Sequence, residues 1–260
     1  PGKLGDIFTN GMLTFHSDSI NGDIELACKS GHFFVSGMVD TLGTYRAHIN
    51  GMDLQLYDLT EIQSLRRCDI TADMSGNWND ADNYLNVGAV VNDLVFNGYT
   101  YSPITLQGEY NQNSITANIS TDDPNASLLV DATYNRNSNK KLKLMLTAGT
   151  FRPKRLNLIK TDKEQDFAFT LVGDYFDQGD GSRIINANIN NLKYADEADT
   201  TYVNNIFFSD SKSTDERLFV LSSDFAQASI YGHFDAPSLF NSFVGILRSH
   251  LPVLGIAPNS

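Results

Sequence analysis

Long apolar runs are missing from this chain of 260 residues. No stretch of about 18 consecutive apolar residues occurs, so nothing reads as a membrane-spanning helix. Cysteine is scarce: Cys28 and Cys68 are the only two. Two thiols are too few for a disulfide scaffold or a metal cluster. Each stands in phase with apolar neighbours, in "DIELAC" and "CDITADM". The expectation is two small buried hydrophobes, with a single disulfide as the alternative. Positive charge is short as well: 19 Lys and Arg face 31 Asp and Glu, for a net charge of −12. That balance excludes broad phosphate contact with nucleic acid and simple docking on an anionic membrane face. No signal-peptide pattern is present, and the chain opens on Pro1. It is read as an excised or processed piece of a longer protein.

Spacings that carry chemistry are missing too. His16, His32, His48, His233 and His250 include no pair at metal-ligand spacing with each other or with cysteine. All five are expected to be solvated. No Gly-x-Ser-x-Gly occurs, and no Gly-rich loop precedes a helix. "DQGDG" at Asp177 lacks EF-hand spacing and its glutamate, and is read as a tight turn. "TDDPN" at Thr121 and "NWNDADN" at Asn77 are acidic enough to flank a glycan-processing cleft, but they fall where hairpin turns belong. "FRPKRLNLIK" gathers Arg152, Lys154, Arg155 and Lys160 into a local basic patch, read as a solvated crossover. The alternative for that patch is contact with an acidic head group or partner. No catalytic residue, metal or cofactor is expected, and the chain is read as a non-enzyme.

What the chain has in abundance is alternation. In Asp69–Trp78 the even positions are Ile70, Ala72, Met74, Gly76 and Trp78, and polar residues lie between them. That is a half-buried strand with one dry face. Leu85, Val87, Ala89 and Val91 continue it, and a shift of phase at Asn92-Asp93 reads as a bulge before Leu94 and Phe96. Further strands are expected at Pro103–Tyr110, Ser114–Ser120, Ala126–Tyr134 and Lys140–Ala148, joined by short turns into an antiparallel meander. The pattern also repeats. Placing Asp69 on Asp166, an offset of 166 − 69 = 97, puts Ile70 on Phe167, Ala72 on Phe169, Met74 on Leu171 and Gly76 on Gly173. After one inserted residue, Ala89 falls on Ala187, Val91 on Ile189 and Leu94 on Leu192. Tyr45, Ala47 and Ile49 match Leu142, Leu144 and Leu146, and Leu54 and Leu56 match Leu156 and Leu158. One continuous repetitive β domain is expected, built of units of about 98 residues and roughly six short strands each. Residues 1–66 would end one unit, 67–164 form a full one and 165–260 most of a third. Only "APSLFNSFVGILRSHLP" breaks the rule, and Ser238–His250 is read as an amphipathic helix.

A one-sided meander must hide its dry face in a sandwich, turn it out to lipid in a barrel, or curl around it as a groove. Periodicity supplies two faces and not the sign of curvature. The dry phase holds Ile70, Ala72, Met74, Val87, Leu106, Ile119, Val130, Leu142, Leu144, Leu146, Phe167, Phe169, Leu171 and Ile189.

The ordered run "SGNW…DADNYLNVGAVVNDLVFNGYTYSPITLQGEY", then "SLLVDATY", "LKLMLTAGTFRPKRLNL" and the late "LFVLSSDFAQASIYGHFDAPSLFNSFVGILRSHLP", resembles the AsmA-like family and its TamB-type translocation and assembly proteins of diderm bacteria. The resemblance covers most of the chain as an ordered pattern, with no catalytic motif to carry over. It implies an open, taco-like β-groove whose lining would be the fourteen residues named above. It implies a periplasmic protein, tethered to the inner membrane through a segment missing from this chain. It further implies phospholipid or another acyl-chain lipid as the cargo, and an outer-membrane assembly partner. Outer-membrane biogenesis would be the process served, through lipid transport or protein assembly. The alternative is a secreted β-rich surface or carbohydrate-binding protein, which would need aromatics exposed on its polar face. An outer-membrane barrel would need aromatic girdles and a terminal aromatic strand.

Overall fold

The computed structural model describes residues 5–79, 83–136, 140–214 and 216–234. In chain order the strands are β1 (Phe8–Phe15), β2 (Ser19–Cys28), β3 (Gly31–Asp40), β4 (Thr44–Gln55), β5 (Arg67–Asn77), β6 (Tyr84–Asn92), β7 (Val95–Phe96), β8 (Tyr99–Thr100) and β9 (Ile104–Asn111). They continue as β10 (Ser114–Asp123), β11 (Ala126–Asn135), β12 (Lys140–Phe151), β13 (Gln165–Asp177), β14 (Arg183–Asp196), β15 (Thr200–Lys212), β16 (Arg217–Ser223) and β17 (Gln227–Gly232). A short helix, α1 (Leu56–Thr60), lies between β4 and β5. Fifteen of the strands form one antiparallel sheet in chain order, with β7 and β8 paired apart from it. At ~4.8 Å per step, the fourteen steps from β1 to β17 span roughly 67 Å.

The protein is therefore all-β, as the alternation requires. The sheet is neither closed nor strongly curled: β1 and β17 stand at opposite edges and do not pair with each other. Apart from a patch where α1 and β7 touch β5, the main contacts between elements join ladder neighbours. The expected curl into an open groove is corrected to an open sheet that is not strongly curled: among the described residues no second wall packs across from the first. The helix expected at Ser238–His250 lies outside the described residues.

Register assigns the faces. Partners in an antiparallel ladder share a face. One row runs across the whole sheet through Leu13, Gly22, Gly37, Ala47, Met74, Val87, Gly108, Ala117, Ala132, Leu144, Gly173, Ala187, Phe208, Leu221 and Ala228. Every member is apolar or glycine. The opposite face answers with Asp23, Ser36, His48, Asp73, Gln107, Asn118, Asp131 and Asn188.

The two rims differ. Turns at one rim are short, such as Thr41–Gly43 and Gln112–Asn113. At the other rim three connections are long: residues 56–66, 93–103 and 152–164. These three join. The Arg66 amide donates to the Val95 carbonyl at 2.9 Å and the Asn97 amide to the Ser64 carbonyl at 2.9 Å. The Asn157 side-chain amide donates to the Asn97 carbonyl at 3.0 Å. Two of the connections follow equivalent strands, β4 and β12, one sequence repeat apart. The ladder pairs Ile70 with Gly51 and its repeat equivalent Phe167 with Phe151.

The expected bulge at Asn92-Asp93 is also corrected. Asp93 takes a left-handed backbone, φ 51°, and there the chain leaves the sheet for β7. Its repeat equivalent Asn191 has φ 53° and does sit at a register shift, after which β14 continues in the sheet. The same kink has two outcomes because only the first is followed by a long connection.

Candidate functional site

Among the described residues the apolar face has no layer over it, yet it is the more buried of the two. Every fully buried strand residue stands on it, including Leu54, Cys68, Ala72, Ala126, Ala148, Tyr194, Phe219 and Leu221. On β12, Leu144 and Leu146 are half-buried while Lys143 and Met145, facing the other way, are exposed. Much of the burial lies beneath the joined connections, which form a lip over one margin of the face.

The lip is anchored at Asp123, which is only 2% exposed. Its carboxylate accepts from the Tyr99 hydroxyl at 2.6 Å, the Ser102 amide at 2.8 Å and the Asn125 amide at 2.8 Å. Burial pushes the Asp123 pKa up, but these hydrogen bonds outweigh it and hold the group below the usual carboxylate value. Burial and the bond to Asp123 push the Tyr99 phenol up. "TDDPN" is thus a turn whose last carboxylate ties the lip to the sheet.

The ladder places all fourteen sequence-selected residues on this one face. Met74, Val87 and Leu144 share the row described above. Ala72, Leu106, Ile119, Val130, Leu146, Leu171 and Ile189 form the next row toward the lip. Ile70 and Phe169 lie one row further, linked through Val91, Ile104, Thr121, Leu128 and Ala148. Phe167 follows beyond a register shift, beside Phe151 and Tyr194, its ring 5.2 Å from the Tyr194 ring. Leu142 sits on the other side, in a row with Tyr45, Gly76, Tyr110, Tyr134, Tyr175 and Phe219.

Sequence reasoning missed the charges on this face. Asp210 and Arg217 form a buried, two-pronged ion pair in phase with Phe208 and Phe219. Phase alone could have found them, since each lies two residues from an apolar member of its strand. It also missed apolar residues on the polar face, such as Met38, Leu129, Met145 and Val172, all exposed.

The remaining motifs resolve into structure. His48 is not simply solvated: its Nδ1 lies 2.8 Å from the Asp73 carboxylate on the next strand. In the basic connection, Arg152 pairs with Asp166 at 3.3 Å, Lys154 with Glu164 at 3.4 Å and Arg155 with Glu164 at 3.0 Å. The Asp177 and Asp180 carboxylates each cap an amide of their own tight turn. Cys28 and Cys68 are free thiols; Cys68 is buried, and that burial pushes its pKa up. Cys28 is half-buried rather than buried as expected.

A hollow of about 750 Å³ lies on the polar face over β3–β6 and β9, where Gly88 leaves a gap between Asp73 and Gln107. Arg46, His48, Asn86 and Glu109 line it too, and no Phe, Tyr or Trp ring does. This hollow opens on the polar side, whereas the expected groove was lined by the apolar side. Among the described residues no three His, Cys, Asp or Glu side chains gather as a metal site, and no helix is long and apolar enough to cross a membrane.

Fold and face together define a class: a single-layer antiparallel β-meander with one continuous, lipped apolar face. Comparison with family models, with curated proteins and with solved structures found no match for this chain.

Proposed function

We propose that this chain is a non-enzymatic, lipid-binding β-sheet segment that carries acyl chains along its apolar face. The observation that supports it best is the apolar row itself, unbroken across fifteen strands and with no protein layer over it among the described residues. A water-exposed apolar surface of this extent calls for an apolar occupant. Acyl chains suit it, because each buried CH₂ contributes about 0.8 kcal/mol without asking for a particular partner. The resemblance to AsmA-like and TamB-type proteins supports the same reading. It adds a periplasmic setting, a tether outside this chain and service to outer-membrane biogenesis. The taco-like groove of that family would correspond here to the apolar face and its lip. A carbohydrate-binding role has less support, because the polar hollow offers no aromatic platform.

The test is photocrosslinking in cells with the full-length protein. Probes at Met74, Leu144 and Phe169 should capture phospholipid, and probes at Asp73, Lys143 and Thr170, on the other face, should not. Equal labelling by both sets, or none by either, would remove the lipid reading. A scaffold for outer-membrane protein assembly would then be the better account.

A further inference from the structure

We infer that the apolar face has a charged end, and that this end holds the anionic, phosphate-bearing head group of the lipid whose acyl chain lies on the face. The inference rests on the lipid reading above. Arg183, Lys212 and Arg217 are consecutive partners in the ladder of β14, β15 and β16. They share a row at the short-turn margin of the apolar face, in phase with Ile185, Asp210 and Phe219. Neighbouring strands stand ~4.8 Å apart, so three cations fall within about 10 Å of one another. Like charges set side by side repel, and this chain has few cations to spend.

The carboxylates nearby are largely committed. Asp210 is engaged two-pronged by Arg217. Asp177, the other neighbour of Arg183 in the ladder, caps the Gly179 amide at 2.9 Å. Glu216 accepts the Tyr231 hydroxyl. No carboxylate among the described residues lies within ion-pair distance of Arg183 or Lys212. The Arg183 Nε is buried and has no hydrogen-bond partner. All three cations line a hollow of about 430 Å³, which Glu216 and Phe234 also line, the Phe234 ring 5.4 Å from the Arg217 guanidinium.

A phosphodiester suits this arrangement. The Arg183 fork supplies paired donors and Lys212 a mobile point charge, while Asp210 holds Arg217 in place. Directly inboard lies the row of Tyr175, Ile185, Asp210, Phe219 and Ile230, in which the one carboxylate is buried and held by Arg217, followed by Leu144, Gly173, Ala187, Phe208 and Leu221. A chain leaving the head group therefore meets apolar surface at Ile185 and Phe219, on either side of the neutralised Asp210. The site would give the carried lipid an orientation, head at the short-turn margin and tail toward the lip.

The experiment titrates the 260-residue chain with lysophosphatidylglycerol, with dodecyl maltoside and with inorganic phosphate, the amphiphiles below their micelle concentrations. Wild type should bind the anionic amphiphile more tightly than the neutral one. Arg183→Gln/Lys212→Gln should weaken lysophosphatidylglycerol binding about tenfold or more, the loss of charge-assisted hydrogen bonds, and leave dodecyl maltoside unchanged. Lys212→Gln alone, at an exposed side chain, should show part of that loss and guards against misfolding of the double variant. Unchanged lysophosphatidylglycerol binding in both variants would overturn the head-group site while leaving the lipid-binding face intact. Failure of wild type to bind either amphiphile would overturn the face reading itself. Phosphate bound as tightly as lysophosphatidylglycerol would make the row a free-anion site and overturn the proposal.

Discussion

Asp123 shows how much of this fold can hang on one side chain. Three donors from two segments converge on a carboxylate that solvent hardly reaches. Asp123→Asn would turn an NH₂ group toward at least one of them, and the expected cost is about 1–3 kcal/mol, measured by urea unfolding. Tyr99→Phe should cost about 1 kcal/mol, since the Ser102 and Asn125 amides keep their acceptor. The pH dependence follows from the lowered pKa. The Asp123 contribution is fully present above the unfolded carboxylate value of 3.8 and fades as pH drops through the lower folded value. The gap in unfolding midpoint between wild type and Asp123→Asn should therefore be flat above pH 3.8 and narrow below it. A gap independent of pH would show that Asp123 is not the anchor. In the sequence this residue was legible only as turn chemistry. Its partners Tyr99 and Ser102 lie more than twenty positions away, and hairpin spacing says nothing about such contacts.

At the scale of elements, strand positions and faces were legible almost throughout. A period of two is dictated by the pleat, and short turns leave an antiparallel neighbour as the only choice. The places where reading failed are the long connections. Alternation carried Leu94 and Phe96 on as strand, whereas Asp93 turns the chain out into the lip. Two glycines in adjacent strands test the geometry. A Cβ at Gly76 would collide with the Tyr84 carbonyl and the Tyr45 hydroxyl, while one at Gly88 would meet nothing within 4 Å. Gly76→Ala should destabilise by about 1–3 kcal/mol, and Gly88→Ala should be neutral or slightly stabilising. Thermal midpoints decide it, and equal effects at both sites would contradict the packing described.

At the scale of the whole molecule, a single layer touching mainly its ladder neighbours behaves like a one-dimensional array. Hydrogen exchange should therefore be graded. Amides of β10 to β14, which lie in the middle of the sheet and beside the lip, should outlast those of β1, whose residues are all exposed. Uniform protection would mean that the sheet opens as one unit. Leu144→Asp should abolish lipid retention in a copurification assay yet shift stability by only about 1–2 kcal/mol, because a half-exposed carboxylate keeps much of its hydration. Wild-type lipid retention in that variant would show the row to be solvated. By itself the sequence determined the β class and which side chains share the dry face, because alternation and turn chemistry are local. Tertiary structure alone decided that the sheet stays an open single layer, that three distant connections meet as a lip over the dry face, and that Arg183, Lys212 and Arg217 line up at its margin. Those outcomes depend on register between strands and on contacts between segments far apart in the chain, and a period of two carries no information about either.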